Sequence, residues 1–264
     1  MIQEGNQETL QTFTELITIM NELREKCPWD KKQTLESLRN LTIEETYELA
    51  DAIIEQDGEE IKKELGDILL HIVFYSKIGA EKDWFTIKDV MEGLNKKLKY
   101  RHPHIYSNTN AQTATEVEQN WEALKLKEKG RKNSVLEGVP KSLPALVKAN
   151  RIQQKVRGVG FDWTEREQVW DKVAEELEEV KEEIAENSSQ EKIEAEFGDL
   201  FFSLINAARL YNVDPETALE RTNKKFTKRF NYLESQTLQK GKSLHDMSLD
   251  EMNVIWEEAK NFDK

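Results

Sequence analysis

The chain has 264 residues, enough for one large domain or two small ones, and combines 38% hydrophobic with 34% charged residues. A net charge of −13 and a pI near 5.0 argue against a nucleic-acid polymer as partner, because duplex binders carry a basic face. Gly (11) and Pro (5) are too scarce for a turn-rich sheet fold, and no apolar run approaches the ~18 residues that a membrane span needs. The single cysteine, Cys27, allows no disulfide within the chain and fits a reduced, cytoplasmic setting. Beside Pro28 it reads as a small apolar residue rather than a nucleophile. An acidic protein that handles an anionic substrate needs local cations or a metal to offset repulsion.

Apolar residues recur every three or four positions, so the chain reads as almost entirely helical. The first stripe is Leu10, Phe13, Leu16, Ile17 and Met20. The pair Trp29-Asp30 follows, then a helical pattern from about Thr42 to Glu55 that carries Glu44, Glu45 and Glu48. Asp57-Gly58 interrupts it as a turn, and a second helical pattern begins at once with Glu64 and Asp67. Those two stretches predict a helical hairpin. Downstream come Lys97 and Arg101, four apart on one helix face, and then Trp121 with Lys125.

Gly, Pro and Ser concentrate in 130–144, which predicts a linker over 130–149 between an N-terminal domain, 8–129, and a C-terminal domain, 150–264. The second half repeats the first in order. Phe161-Asp162 takes the place of Trp29-Asp30. A stripe of Val173, Leu177, Val180 and Ile184 runs through a helix over about Glu167–Ala185 that carries Glu175, Glu176 and Glu179. Asn187-Ser188-Ser189 is the turn, and Glu196 and Asp199 lie on the next helix. Lys225, Lys228 and Arg229, then Trp256 with Lys260, complete the copy. Five features recur at offsets between 128 and 135 residues, which a shared ancestor explains better than composition does.

Acids three apart share a helix face. If each chain reversal falls at its turn, Glu48 and Asp67 stand about nine or ten residues to either side of it and so at similar heights, given 1.5 Å rise per residue. Glu45, Glu48, Glu64 and Asp67 then form one quartet, and Glu176, Glu179, Glu196 and Asp199 another. Four carboxylates in one groove raise each other's pKa unless a cation joins them. Oxygen-only donors suit Mg2+, with Mn2+ as a substitute, and disfavour softer metals. The absence of any Glu-x-x-His sequence argues against a ferritin-like di-iron bundle. In so acidic a chain one such block would read as a solvated helix face, and the claim rests on the second copy in register. The downstream Lys and Arg residues suit phosphate oxygens. Trp121 and Trp256 suit either stacking on a base or core packing.

These residues, with the phrases CPWDKKQT (27–34), ELGDILLHIVF (64–74), RHPHIY (101–106), GVPKSLPAL (138–146), VGFDW (159–163) and EFGDLFFSLINAAR (196–209), resemble the MazG family of nucleoside triphosphate pyrophosphohydrolases. That family lies within the all-α group that includes dimeric dUTPases and phosphoribosyl-ATP pyrophosphatase. The resemblance implies two tandem all-α bundles on antiparallel helix hairpins, paired in a homodimer with four-helix-bundle cores. It implies cleavage between the α- and β-phosphates to a nucleoside monophosphate and pyrophosphate, as in housecleaning of the nucleotide pool. It implies Mg2+ held by both quartets and nucleotide contacts from Lys172, Glu175, Lys225, Arg229 and Trp256, with Lys228, Lys97, Arg101 and Trp121 as the basic and aromatic residues beside or matching them. The catalytic set is then Glu175, Glu176, Lys225 and Arg229, with Glu175 orienting or deprotonating the water. One departure is Leu35, where family members often carry His. A non-catalytic nucleotide-binding regulatory module, or a helical interaction module with acidic faces, would keep the fold without turnover.

Overall fold

A computed structural model describes residues 2–107, 134–239, 241 and 243–262, with residues 113, 117 and 124 as isolated positions. Among the described residues every regular element is a helix, and no helix is long and apolar enough to cross a membrane. The chain divides into two compact units, Met1–Val117 and Glu118–Lys264.

In the first unit, α1 (Ile2–Lys26) leads through a short 3-10 turn to α2 (Leu35–Glu55), α3 (Gly58–Glu81), α4 (Ile87–Arg101) and the single-turn α5 (Pro103–Tyr106). Thr34 starts α2 with a reciprocal capping box, its side chain accepting from the Ser37 amide while Ser37 takes the Thr34 amide. Gln56 ends α2 in the left-handed region at φ 57°. Asp57 then caps α3, accepting from the amides of Glu59 and Glu60. The predicted reversal at Asp57-Gly58 is therefore a Gln56-Asp57 turn, and α2 and α3 pack as a hairpin. Met20 of α1, Leu38 of α2 and Val73, Phe74 and Ile78 of α3 make the core, with Phe13, Leu16 and Ile17 against it. Leu10, read into the same stripe, lies a turn beyond that cluster and is 66% exposed. Arg24 ties α1 to α3, donating from Nε and Nη2 to Glu81 at 3.1 and 2.8 Å while lying over the Phe74 ring.

In the second unit, a turn-rich stretch through Pro144 precedes α6 (Ala145–Arg157), which starts inside the segment read as a linker. A loop then passes Gly160, at φ 88°, a conformation that favours glycine. α7 (Val169–Ala185) and α8 (Gln190–Leu210) form the second hairpin, with Asn187 in the left-handed region at φ 52°. α9 (Pro215–Gln239) and α10 (Leu249–Ala259) complete the unit. Val169 and Val180 of α7 and Leu200 and Ile205 of α8 are buried. Gln153 of α6 donates from Nε2 to the Phe202 carbonyl of α8 at 2.8 Å. Trp170 donates from Nε1 to the Tyr211 hydroxyl at 3.1 Å, closing the open end of the hairpin. The stripe expected on α7 is only half realised within the unit: Val180 is buried, but Leu177 and Ile184 are exposed. They leave apolar surface on the hairpin together with Phe197 and Phe201 of α8.

Among the described glycines of the first unit, Gly79 alone has a close neighbour where a Cβ would sit. A Cβ there would meet the Phe85 ring at 2.8 Å. Gly79→Ala should lower stability by about 1–3 kcal/mol through overpacking, seen as a lower midpoint of thermal unfolding.

Candidate active site

Each hairpin brings acids from its two helices together, but three at a time rather than four. In the first unit Glu45, Glu48 and Glu64 each offer an oxygen within 4.8 Å of the others. In the second unit the triad is Glu176, Glu196 and Asp199. Asp67 and Glu179 stand outside the triads yet within electrostatic reach. Asp67 is among the charges that raise the Glu45 pKa, after burial and contact with Glu64. Burial and then the Glu176 charge raise the pKa of Glu179.

The two copies differ in which carboxylate is deepest. In the first it is Glu64 of the second helix, 2% exposed. Lys63 donates to its Oε1 at 2.9 Å and holds its pKa down, while Oε2 has no hydrogen-bond partner. In the second it is Glu176 of the first helix, 6% exposed. Lys172, one turn earlier, stands 2.6 Å from Glu176 Oε1 and 2.8 Å from Glu175 Oε1, which raises the lysine pKa. The donor set is carboxylate oxygen throughout, with a buried carboxylate oxygen left unpartnered in the first copy. Both clusters thus fit a hard divalent cation and neither offers a thiolate or imidazole.

Two members of the second triad, Glu176 and Asp199, border a cavity of about 640 Å³. Glu176, Asp199 and Lys172 line one part of it, and Phe161, Trp163, Phe202, Gln153 and Arg209 other parts. Lys225 and Arg229 of α9 and Trp256 of α10 do not line this cavity. Two of them sit together: the Trp256 ring packs on Phe226 at 5.1 Å between centroids, and the Arg229 guanidinium lies 5.6 Å from the centre of the Trp256 ring. Lys228 is exposed on the same helix, and Lys97 and Arg101 lie on α4 of the first unit. Trp121 and Lys125 fall outside the described residues.

Gln153, Asn206 and Arg209 are among the cavity residues that were not singled out from sequence. Arg209 donates from Nη1 to Asp162 Oδ2 at 3.0 Å and makes a second, close contact from Nη2 to Oδ1. It also donates from Nε to Asn206 Oδ1 at 3.1 Å. This fork pins the Phe161-Asp162-Trp163 loop to α8 across 47 residues of sequence. Burial pushes the Asp162 carboxyl up. The Arg209 bonds, the Trp163 amide and the charges of Arg209 and Arg157 outweigh it and leave the pKa lowered.

Fold and site together define an all-α protein with a carboxylate cluster fit for a cation in each of two tandem helical hairpins. The profile of the MazG nucleotide pyrophosphohydrolase domain matches twice, at residues 33–106 and 165–233. The chain is 43% identical over 255 residues to a Thermotoga maritima protein named nucleoside triphosphate pyrophosphohydrolase/pyrophosphatase MazG, covering 96% of this chain and 97% of that one. It is 39% identical over 251 residues to the Escherichia coli nucleoside triphosphate pyrophosphohydrolase, covering 93% and 95%. It is also 44% identical over 255 residues to an uncharacterized Bacillus subtilis protein, YabN, of which it spans 52%. The chain belongs to the MazG family.

The Asp162–Arg209 pair has a signed pH signature. Its folded carboxyl titrates below the unfolded value of ~3.9, so its stabilisation is present above that value and lost as pH falls through the lower, folded one. Wild type should exceed Asp162→Asn in unfolding free energy by about 1–3 kcal/mol at neutral pH. The margin should narrow below pH ~4 in denaturant titrations repeated across pH.

Proposed function

We propose that this chain hydrolyses nucleoside and deoxynucleoside triphosphates between the α- and β-phosphates, releasing a nucleoside monophosphate and pyrophosphate. The observation that carries the reading is the second-unit triad of Glu176, Glu196 and Asp199, of which Glu176 and Asp199 border an aromatic-walled cavity. The names of the Thermotoga and Escherichia relatives support it.

Mg2+, with Mn2+ as a substitute, is the proposed ion, held by Glu176, Glu179, Glu196 and Asp199 and in the first unit by Glu45, Glu48, Glu64 and Asp67. When bound, it supplies charge neutralisation at the α/β-phosphates and a lowered pKa for a nearby water. Glu175 is exposed and outside the triad, and its pairing with Lys172 holds its carboxylate beside Glu176, where it would orient that water or take its proton. Lys172 holds Glu175 and lines the cavity, placing a positive charge where a phosphate chain would enter. Lys225, Lys228 and Arg229, with Trp256, are assigned to the nucleotide and to the leaving pyrophosphate, on the strength of their repeated spacing. Lys97, Arg101 and Trp121 are the first-half counterparts.

A homodimer is part of the proposal. Leu177, Ile184, Phe197 and Phe201 are exposed on the second hairpin, and Leu65, Leu69 and Ile72 on the first. Pairing hairpins into a four-helix bundle would cover them. The setting proposed is the cytoplasm, in keeping with the single cysteine.

Incubation with a panel of NTPs and dNTPs and Mg2+ should yield monophosphate and pyrophosphate in equal amounts, and chelation should stop it. Glu175→Gln should lower kcat by about 100-fold with little change in nucleotide affinity. Mg2+-dependent nucleotide binding without turnover would instead identify a regulatory module.

A further inference from the structure

The lysine beside the second triad stands where the charge of an ion would act. Lys172 Nζ lies 2.6 Å from Glu176 Oε1 and 2.8 Å from Glu175 Oε1. Its two partners are unlike. The Glu176 side chain is 7% exposed and belongs to the triad, while that of Glu175 is 56% exposed and lies outside it. Water reaches little of Glu176, so its charge needs a cation at hand. Lys172 supplies one from the same helix, a turn away. Mg2+ bonds carboxylate oxygen at about 2.0–2.1 Å, so an ion on Glu176 and the ammonium would share one carboxylate within roughly 5 Å of each other. Two cations that close, in a groove with little water, repel strongly.

The first hairpin meets the same demand another way. Lys63 Nζ lies 2.9 Å from Glu64 Oε1 and 3.1 Å from Glu60 Oε2. Glu64 keeps its other oxygen, Oε2, buried and without a hydrogen-bond partner. An ion there has an oxygen that the lysine does not use. Lys172 differs again in lining the cavity. The other cation on that wall, Arg209, is committed to Asp162 and Asn206.

We propose that Lys172 is a tethered counter-ion of the second cluster, which an arriving divalent cation displaces from Glu176 while Glu175 keeps hold of it. The inference rests on the reading of the triad as a cation site. No proton moves in the exchange: the ammonium stays charged and goes from two glutamates to Glu175 alone. It remains on the cavity wall, where an anion can take it up. Binding of the ion alone must break the Lys172–Glu176 pair. An anion in the cavity lowers that cost, so cation and anion favour each other's binding.

The test uses Mn2+ alone, followed by electron paramagnetic resonance, in a Glu45→Gln/Glu48→Gln background that removes the first cluster. Lys172→Met keeps the length of the side chain and should tighten Mn2+ binding by about tenfold. Lys181→Met breaks an exposed pair with Glu178 on the same helix and should change it by less than about twofold. A second readout needs no variant. Acetylation of amines in the wild-type chain, read by mass spectrometry, should label Lys172 severalfold faster with Mn2+ present and leave Lys63 and Lys181 unchanged. Mn2+ binding that is equal or weaker in Lys172→Met would overturn the inference and leave the cation reading intact. So would labelling of Lys172 that Mn2+ does not alter, or that rises equally at all three lysines. No Mn2+ binding by either protein would sink the cation reading and the inference with it.

Discussion

Three carboxylates whose oxygens lie within 4.8 Å of one another are the constraint on which the rest of each unit depends. Such a cluster opposes folding, because every acid raises the cost of ionising its neighbours. Burial and close acids push Glu45 and Glu179 up, and a lysine stands against the deepest carboxylate of each copy. The helical hairpins hold the acids level regardless. Their turns are fixed by local chemistry, at Gln56 and Asp57 in one and Asn187 in the other. Their inner faces are fixed by apolar packing. A fold that spends stability on an acidic groove makes physical sense when a hard cation completes it.

The two copies have not kept the same solution. The buried acid lies on the second helix of the first hairpin and on the first helix of the second hairpin. Its lysine is a sequence neighbour in one case, Lys63 beside Glu64, and a helical-turn neighbour in the other, Lys172 above Glu176. Each lysine also reaches a second glutamate, Glu60 for Lys63 and Glu175 for Lys172, and in the second copy this ties the candidate water-activating group to the carboxylate cluster. The second copy further joins its acids to a cavity walled by the Phe161-Asp162-Trp163 loop. On the proposed function, that combination makes Glu176 and its neighbours the candidate working site, with the first hairpin as a related cluster built differently.

Much of this was legible in the sequence because helices encode faces locally. Spacings of three and four gave the acid pairs, and the interruptions at Asp57 and Asn187 gave the hairpins. The repeat of both boxes showed that the spacing was no accident of an acidic composition. Residues joined across long separations were not legible. Nothing near Gln153 in sequence says that its amide meets the Phe202 carbonyl, 49 residues away. Asp162 was visible as half of an aromatic-Asp pair, but its partner Arg209 was hidden at the end of an apolar helix stretch. Quartets were expected and triads observed, because face-sharing along a helix does not fix how far each side chain reaches across the groove. The exposure of Leu177 and Ile184 has a similar cause: periodicity marks an apolar face without saying what covers it.

The most direct measurement compares pyrophosphate release by Glu176→Ala and Glu45→Ala, each made alone, on one nucleotide with saturating Mg2+. With the second hairpin as the working site, Glu176→Ala should lower kcat/KM by about 100-fold or more, while Glu45→Ala keeps most of the wild-type rate. Full activity in a folded Glu176→Ala protein would contradict that assignment.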